Sequence, residues 1–60
     1  MIKFIELTSA TNLPMAINID EIQGITEDGL YTSIFLKGDK ECYKTKETVS
    51  QVLAKIRLNQ

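Results

Sequence analysis

The side chains in this chain that could do chemistry are two adjacent carboxylate pairs, one thiol, and lysines interleaved with tyrosines; no histidine occurs among the 60 residues. A general base working near neutral pH would therefore be a perturbed carboxylate, lysine or cysteine, and the hydroxyls of Thr32 and Ser33 have no evident partner to activate them. Asp20–Glu21 and Glu27–Asp28 could offer oxygens to a hard cation. Neighbours on a strand point to opposite faces, however, and calcium asks for roughly six to eight oxygens. Turn and capping chemistry accounts for both pairs. Cys42 shares a strand face with Lys40 and Lys44, a setting that favours a thiolate. One thiol without a resolving partner is a poor redox device, so the simpler reading is a small strand residue. The expectation is a non-enzymatic protein with no catalytic residue, no metal ligand and no cofactor.

Binding chemistry offers two classes of partner. The net charge of -1 hides an asymmetry: residues 1–30 carry Lys3 against Glu6, Asp20, Glu21, Glu27 and Asp28, a net of -4, while residues 31–60 carry Lys37, Lys40, Lys44, Lys46, Lys55 and Arg57 against Asp39, Glu41 and Glu47, a net of +3. With Tyr31, Phe35 and Tyr43 nearby, Lys37, Lys40, Lys44 and Lys46 could form a nucleic-acid face on which aromatics stack bases and lysines neutralise phosphates. A pI near 5.2, a single arginine and the absence of any run of adjacent bases argue instead for charges spread over solvent faces. Nucleic acid is thus the alternative partner, behind protein.

Size favours protein. A domain of about 60 residues buries only about 60% of the surface its unfolded chain exposes, which leaves it marginally stable. One cysteine and no histidine remove the usual disulfide and structural-zinc supplements, so self-association becomes the default supplement. Met1-Ile2-Lys3-Phe4 lacks the apolar stretch of a signal peptide, and no apolar run approaches the roughly 20 residues needed to span a bilayer. The expected location is cytoplasmic, without membrane insertion.

The elements that must carry these residues are mostly strands. Ile2 to Leu7 reads as a first strand with apolar residues on both faces, followed by a loop through Thr8 to Pro14. Met15, Ile17 and Ile19 alternate with Ala16 and Asn18, which gives a second strand one buried face. Asn18 to Ile22 holds two Asx side chains able to bond nearby amides, and so reads as a corner or a single helical turn. Ile22 to Glu27 reads as a third strand with a bulge at Gly24. Asp28-Gly29 is a two-residue hairpin signal before the strongest strand, Leu30 to Lys37, and Gly38-Asp39 is another before the last strand, Lys40 to Thr45. Thr48-Val49-Ser50-Gln51 is a capping box, and Val49, Val52, Leu53 and Ile56 recur at helical spacing. The fold class expected is α+β: one small domain over residues 1–60, an antiparallel meander of four to five short strands with a C-terminal helix packed on one sheet face.

Three segments carry a family resemblance. Met1-Ile2-Lys3 opening a strand, Ile17-Asn18-x-Asp20-x-Ile22-x-x-Ile25 at the central corner, and Lys46-Glu47-Thr48-Val49-x-x-Val52-x-x-Lys55-Ile56 at the end resemble the small FlbD-like flagellar proteins and similar short proteins of phages and mobile elements. That resemblance covers most of the chain. It implies a bacterial or mobile-element origin and a non-enzymatic accessory role, and brings no catalytic residue with it.

The expected function is a self-associating protein-interaction module, dimeric and with an unidentified protein partner. Ile2, Phe4, Ile5 and Leu7 are the interface candidates, because a short helix covers only one face of a strand that is apolar on both. The competing expectation is that the Ser9 to Pro14 loop folds back over that face with Leu13 as its plug.

Overall fold

A computed structural model describes residues 3–59. Five short strands and one helix follow in order: β1 Phe4–Thr8, β2 Pro14–Asn18, a 3-10 turn Ile19–Glu21, β3 Ile22–Asp28, β4 Tyr31–Leu36, β5 Cys42–Thr45 and α1 Val49–Leu58. All strand neighbours are antiparallel, and the fold is a small α+β unit with the C-terminal helix packed on its sheets. The strands divide into a β1–β2 hairpin and a β3–β4–β5 meander. Asn18 makes the division: its side-chain oxygen accepts from the Asp20 N–H at 3.0 Å, which starts the 3-10 turn that carries the chain out of one sheet and into the next.

The turns follow from their residues, with two shifts from the sequence reading. Ala10, Thr11 and Asn12 form the β1–β2 loop, in which Asn12 takes a positive φ of 67° while Ser9 N–H and Leu13 C=O bond at 2.8 Å across its base. The β3–β4 turn is Gly29-Leu30 rather than Asp28-Gly29, because Asp28 is still paired with Tyr31 and Gly29 supplies the positive φ. Between β4 and β5 the connection is longer than two residues, since the last pair is Phe35 with Cys42. There Asp39 N–H bonds Leu36 C=O at 3.3 Å with Gly38 at φ 80°, the third position of a turn that only glycine adopts without strain. The register does shift between Ile22 and Gly24, where the bulge was expected.

The core is Ile5, Leu7, Ile17, Ile34 and Val52, with Met15, Ile19, Ile22, Ile25, Leu36 and Ile56 packed around it. Alternation on β1 is therefore cleaner than the sequence suggests: Ile5 and Leu7 point inward, and Phe4 and Glu6 are exposed. On α1 the helical stripe turns slightly away from its expected centre. Val52 is fully buried and Ile56 packs against the core, but Leu53 is 37% exposed at the margin. Leu53 is thus a border residue and not the core residue that the spacing indicates, because this helix leans on β1 and β3 along a narrow line. No helix among the described residues is long and apolar enough to cross a membrane.

Candidate functional site

The two sheets meet at a seam built by β1, β5 and the residues leading into α1. Lys46 N–H donates to Thr8 C=O at 2.9 Å, Ala10 N–H donates to Lys44 C=O at 3.0 Å, and Ser9 bridges Thr45. Glu47 closes it. Its carboxylate accepts from Thr8 N–H at 2.9 and 3.2 Å and faces the Thr45 hydroxyl at 2.5 Å, while the same hydroxyl lies 2.9 Å from Thr8 C=O. Lys55, eight positions further along the chain, sits 3.9 Å from Glu47 and donates to Glu6 C=O at 2.7 Å. Burial pushes the Glu47 carboxyl up, but the bonds from Thr45, Thr8 and its own amide, with the Lys55 charge, outweigh that and hold it below its ordinary value of 4.5. Directly after it, Thr48 Oγ1 accepts from Gln51 N–H at 3.1 Å and Gln51 accepts from Thr48 N–H at 2.8 Å, completing the capping box.

Two of the four lysines of the alternative nucleic-acid face, Lys44 and Lys46, are engaged within the chain. Lys44 pairs with Asp28 at 2.5 Å, Lys46 bonds the Asn12 side chain, and Lys55 is held at the seam. Three bases of the basic half thus reach partners in the acidic half, and the sequence asymmetry becomes an interleaved surface. Lys37 and Lys40 are exposed in the β4–β5 loop. A shallow groove there is lined by Asp39, Lys40, Glu41, Cys42 and Tyr43, with two carboxylates against one lysine. Cys42 lies across the sheet from Phe35. On the outer face of β3–β4–β5, Asp28 faces Ser33 at 3.5 Å as well as Lys44. The hydrogen bond and charge of Lys44 lower the Asp28 carboxyl, and Asp28 in turn raises Lys44. No group of three or more metal-ligating side chains occurs among the described residues.

The interface candidates separate into two kinds. Ile5 and Leu7 are 1% and 3% exposed, so they belong to the core and offer nothing to a partner. Phe4 is 53% exposed, and Ile2 lies outside the described residues. Leu13 is 62% exposed at the end of its loop, so it does not plug the sheet. Phe4, Glu6, Lys55 and Asn59 line one shallow groove, and Glu6, Pro14, Met15 and Ala16 line another, so Glu6 borders both. Glu47 is the residue that sequence reasoning missed. Beyond its place in the resemblance it counted only as a charge, although a carboxylate immediately before an N-cap sits where a helix dipole favours it. Compared with known protein families, curated proteins and solved structures, the chain has no significant match in any of the three.

Proposed function

We propose that this chain is a non-enzymatic interaction module that self-associates, most simply as a dimer, and that presents its β1–β2 side to a protein partner. One observation carries the reading. Five apolar side chains make up the buried core, while large apolar residues, among them Phe4, Leu13, Phe35, Tyr43 and Leu58, are exposed. A core that small leaves little stability in hand, and association that covers part of the exposed apolar surface supplies more. The FlbD-like resemblance agrees with an accessory role in a bacterium, phage or mobile element, and a cytoplasmic site of action goes with it. The nucleic-acid alternative draws little support from the lysines, since Lys44 and Lys46 of its four are engaged within the chain.

Light scattering and sedimentation from micromolar to millimolar concentration test this. The expected mass is twice 6.8 kDa, with a melting temperature that rises with concentration because the dimer binds only folded chains. A monomeric mass throughout overturns it. Salt-sensitive retention on single- or double-stranded nucleic acid, abolished by charge reversal at Lys40 and Lys44, would put the alternative first.

A further inference from the structure

Hydrogen-bond parity fixes where the backbone groups of the β1–β2 hairpin point. In an antiparallel pair, alternate residues bond the neighbouring strand and those between turn their N–H and C=O away. Thr8 turns away from β2, since its N–H donates to Glu47 and its C=O accepts from Lys46. Ser9 turns toward it, donating to Leu13 C=O, and at the other end Lys3 C=O accepts from Ile19 N–H. Odd-numbered residues of β1 therefore bond β2. Through the pairs Ile5 with Ile17 and Leu7 with Met15, the odd residues of β2 bond β1. Pro14, Ala16 and Asn18 are left to direct their backbone groups outward from the hairpin.

The far edge of β1 and the free edge of β3 are guarded, and this one is not. The far edge of β1 is sealed by Glu47, Lys46 and Lys55. The free edge of β3 is broken by the shift between Ile22 and Gly24 and ends in Glu27 and Asp28, two devices that discourage pairing. From Leu13 to Ile19, by contrast, no residue is charged. Pro14 does not blunt this edge fully. It stands at the first position of β2 with its missing N–H on the outward side, where it breaks no bond to β1 and still offers a carbonyl.

We propose that β2 pairs edge to edge with β2 of a second copy, antiparallel about a two-fold axis at Ala16; this rests on the self-associating reading above and gives it a surface. In that register Ala16 exchanges both backbone bonds with Ala16 of the partner subunit, and each Asn18 N–H donates to Pro14 of the partner subunit. The arrangement is self-complementary, as a two-fold interface requires. On the inner side Met15, half-buried in the single chain, comes opposite Ile17 of the partner subunit and extends the core. Phe4 stays on the outer face of the resulting four-stranded sheet, free for another protein.

Amide hydrogen exchange at two concentrations tests the pairing, beside the solution mass of three variants. The amides of Ala16 and Asn18 are expected to be protected in the dimer and to exchange at least about ten times faster on dilution to monomer, with Ile17 protected in both. Ala16→Pro removes the central N–H, which the chain does not use internally, and Ala16→Lys sets like charges opposite each other on the exposed face. Both are expected to be monomers with the parent's circular dichroism, and Phe4→Glu to remain a dimer. A dimer whose Ala16 and Asn18 amides exchange freely, or one that survives Ala16→Lys, overturns the edge pairing and leaves self-association standing. A parent that is monomeric throughout overturns both. Should Ala16→Pro fail to fold, Ala16→Lys and the exchange data decide.

Discussion

Two carboxylates in this molecule, Glu47 at the seam and Asp28 on the outer sheet face, are both held below their ordinary pKa and both approach a partner at 2.5 Å. Their surroundings differ. Glu47 has a side chain only 17% exposed and receives a backbone N–H and a hydroxyl from strands of two different sheets, whereas Asp28 and Lys44 are 57% and 45% exposed and bridge strands of one sheet already held by its own ladder. Water and ions can replace most of what Lys44 gives Asp28. Thr8 N–H and Glu47 sit in a part-buried seam, where a withdrawn carboxylate is harder for water to replace. A short distance is therefore a poor guide to what an interaction contributes; the cost of leaving its partners unsatisfied is a better one.

The largest test of that contrast is Glu47→Ala, which leaves Thr8 N–H without its carboxylate acceptor and the Thr45 hydroxyl with Thr8 C=O alone. A loss of about 1 to 3 kcal/mol is expected from such unsatisfied donors, read from urea midpoints; a loss near zero would make the two carboxylates equivalent. Titration sharpens the same point. Because the folded chain holds Glu47 more acidic than the unfolded chain does, its contribution is complete above the ordinary carboxylate value of 4.5 and is lost as pH falls through the folded value. Stability should fall over that acid range in the parent and more shallowly in Glu47→Gln. Thr48→Ala, next in the chain, removes the N-cap acceptor but no seam bond, and about 1 kcal/mol is expected. Smallest of all is Asp28→Asn, whose melting temperature should match the parent within measurement error. A clear loss there would show that the outer ion pair is structural.

What could be read from the sequence was local. The capping box of Thr48 and Gln51, the Asn18 corner and the Gly24 bulge depend on residues a few positions apart and each is present, while the glycine turns occur near their expected places but with shifted or longer loops. What escaped was long-range. Strand β1 looked apolar on both faces because Ile5 and Phe4 are adjacent, yet only the packing of β1 against Ile34 and Val52 decides that Ile5 goes in and Phe4 stays out. Leu53 fits helical spacing as well as Val52 does, and the narrow contact of α1 with β1 and β3 puts it at the margin. The basic half dissolved for a similar reason, since spacing along the chain says nothing of Asp28 lying beside Lys44. The outward groups of Pro14, Ala16 and Asn18 were invisible until the seam bonds of Thr8 fixed the parity of β1.

Because Thr8 and Glu47 are 39 positions apart in the chain, the seam also sets an order of assembly. During synthesis the first hairpin emerges with the far edge of β1 bare, and Glu47, which covers it, follows Thr8 by 39 positions. Contacts between such distant partners form late, after the entropy of closing a long loop has been met. A fragment ending at Lys46 should therefore stay unfolded or aggregate through its open edges, as judged by circular dichroism and light scattering, and a soluble folded fragment would contradict this. On this account the fold is completed only once α1 is free to dock, and until then the far edge of β1 stands exposed.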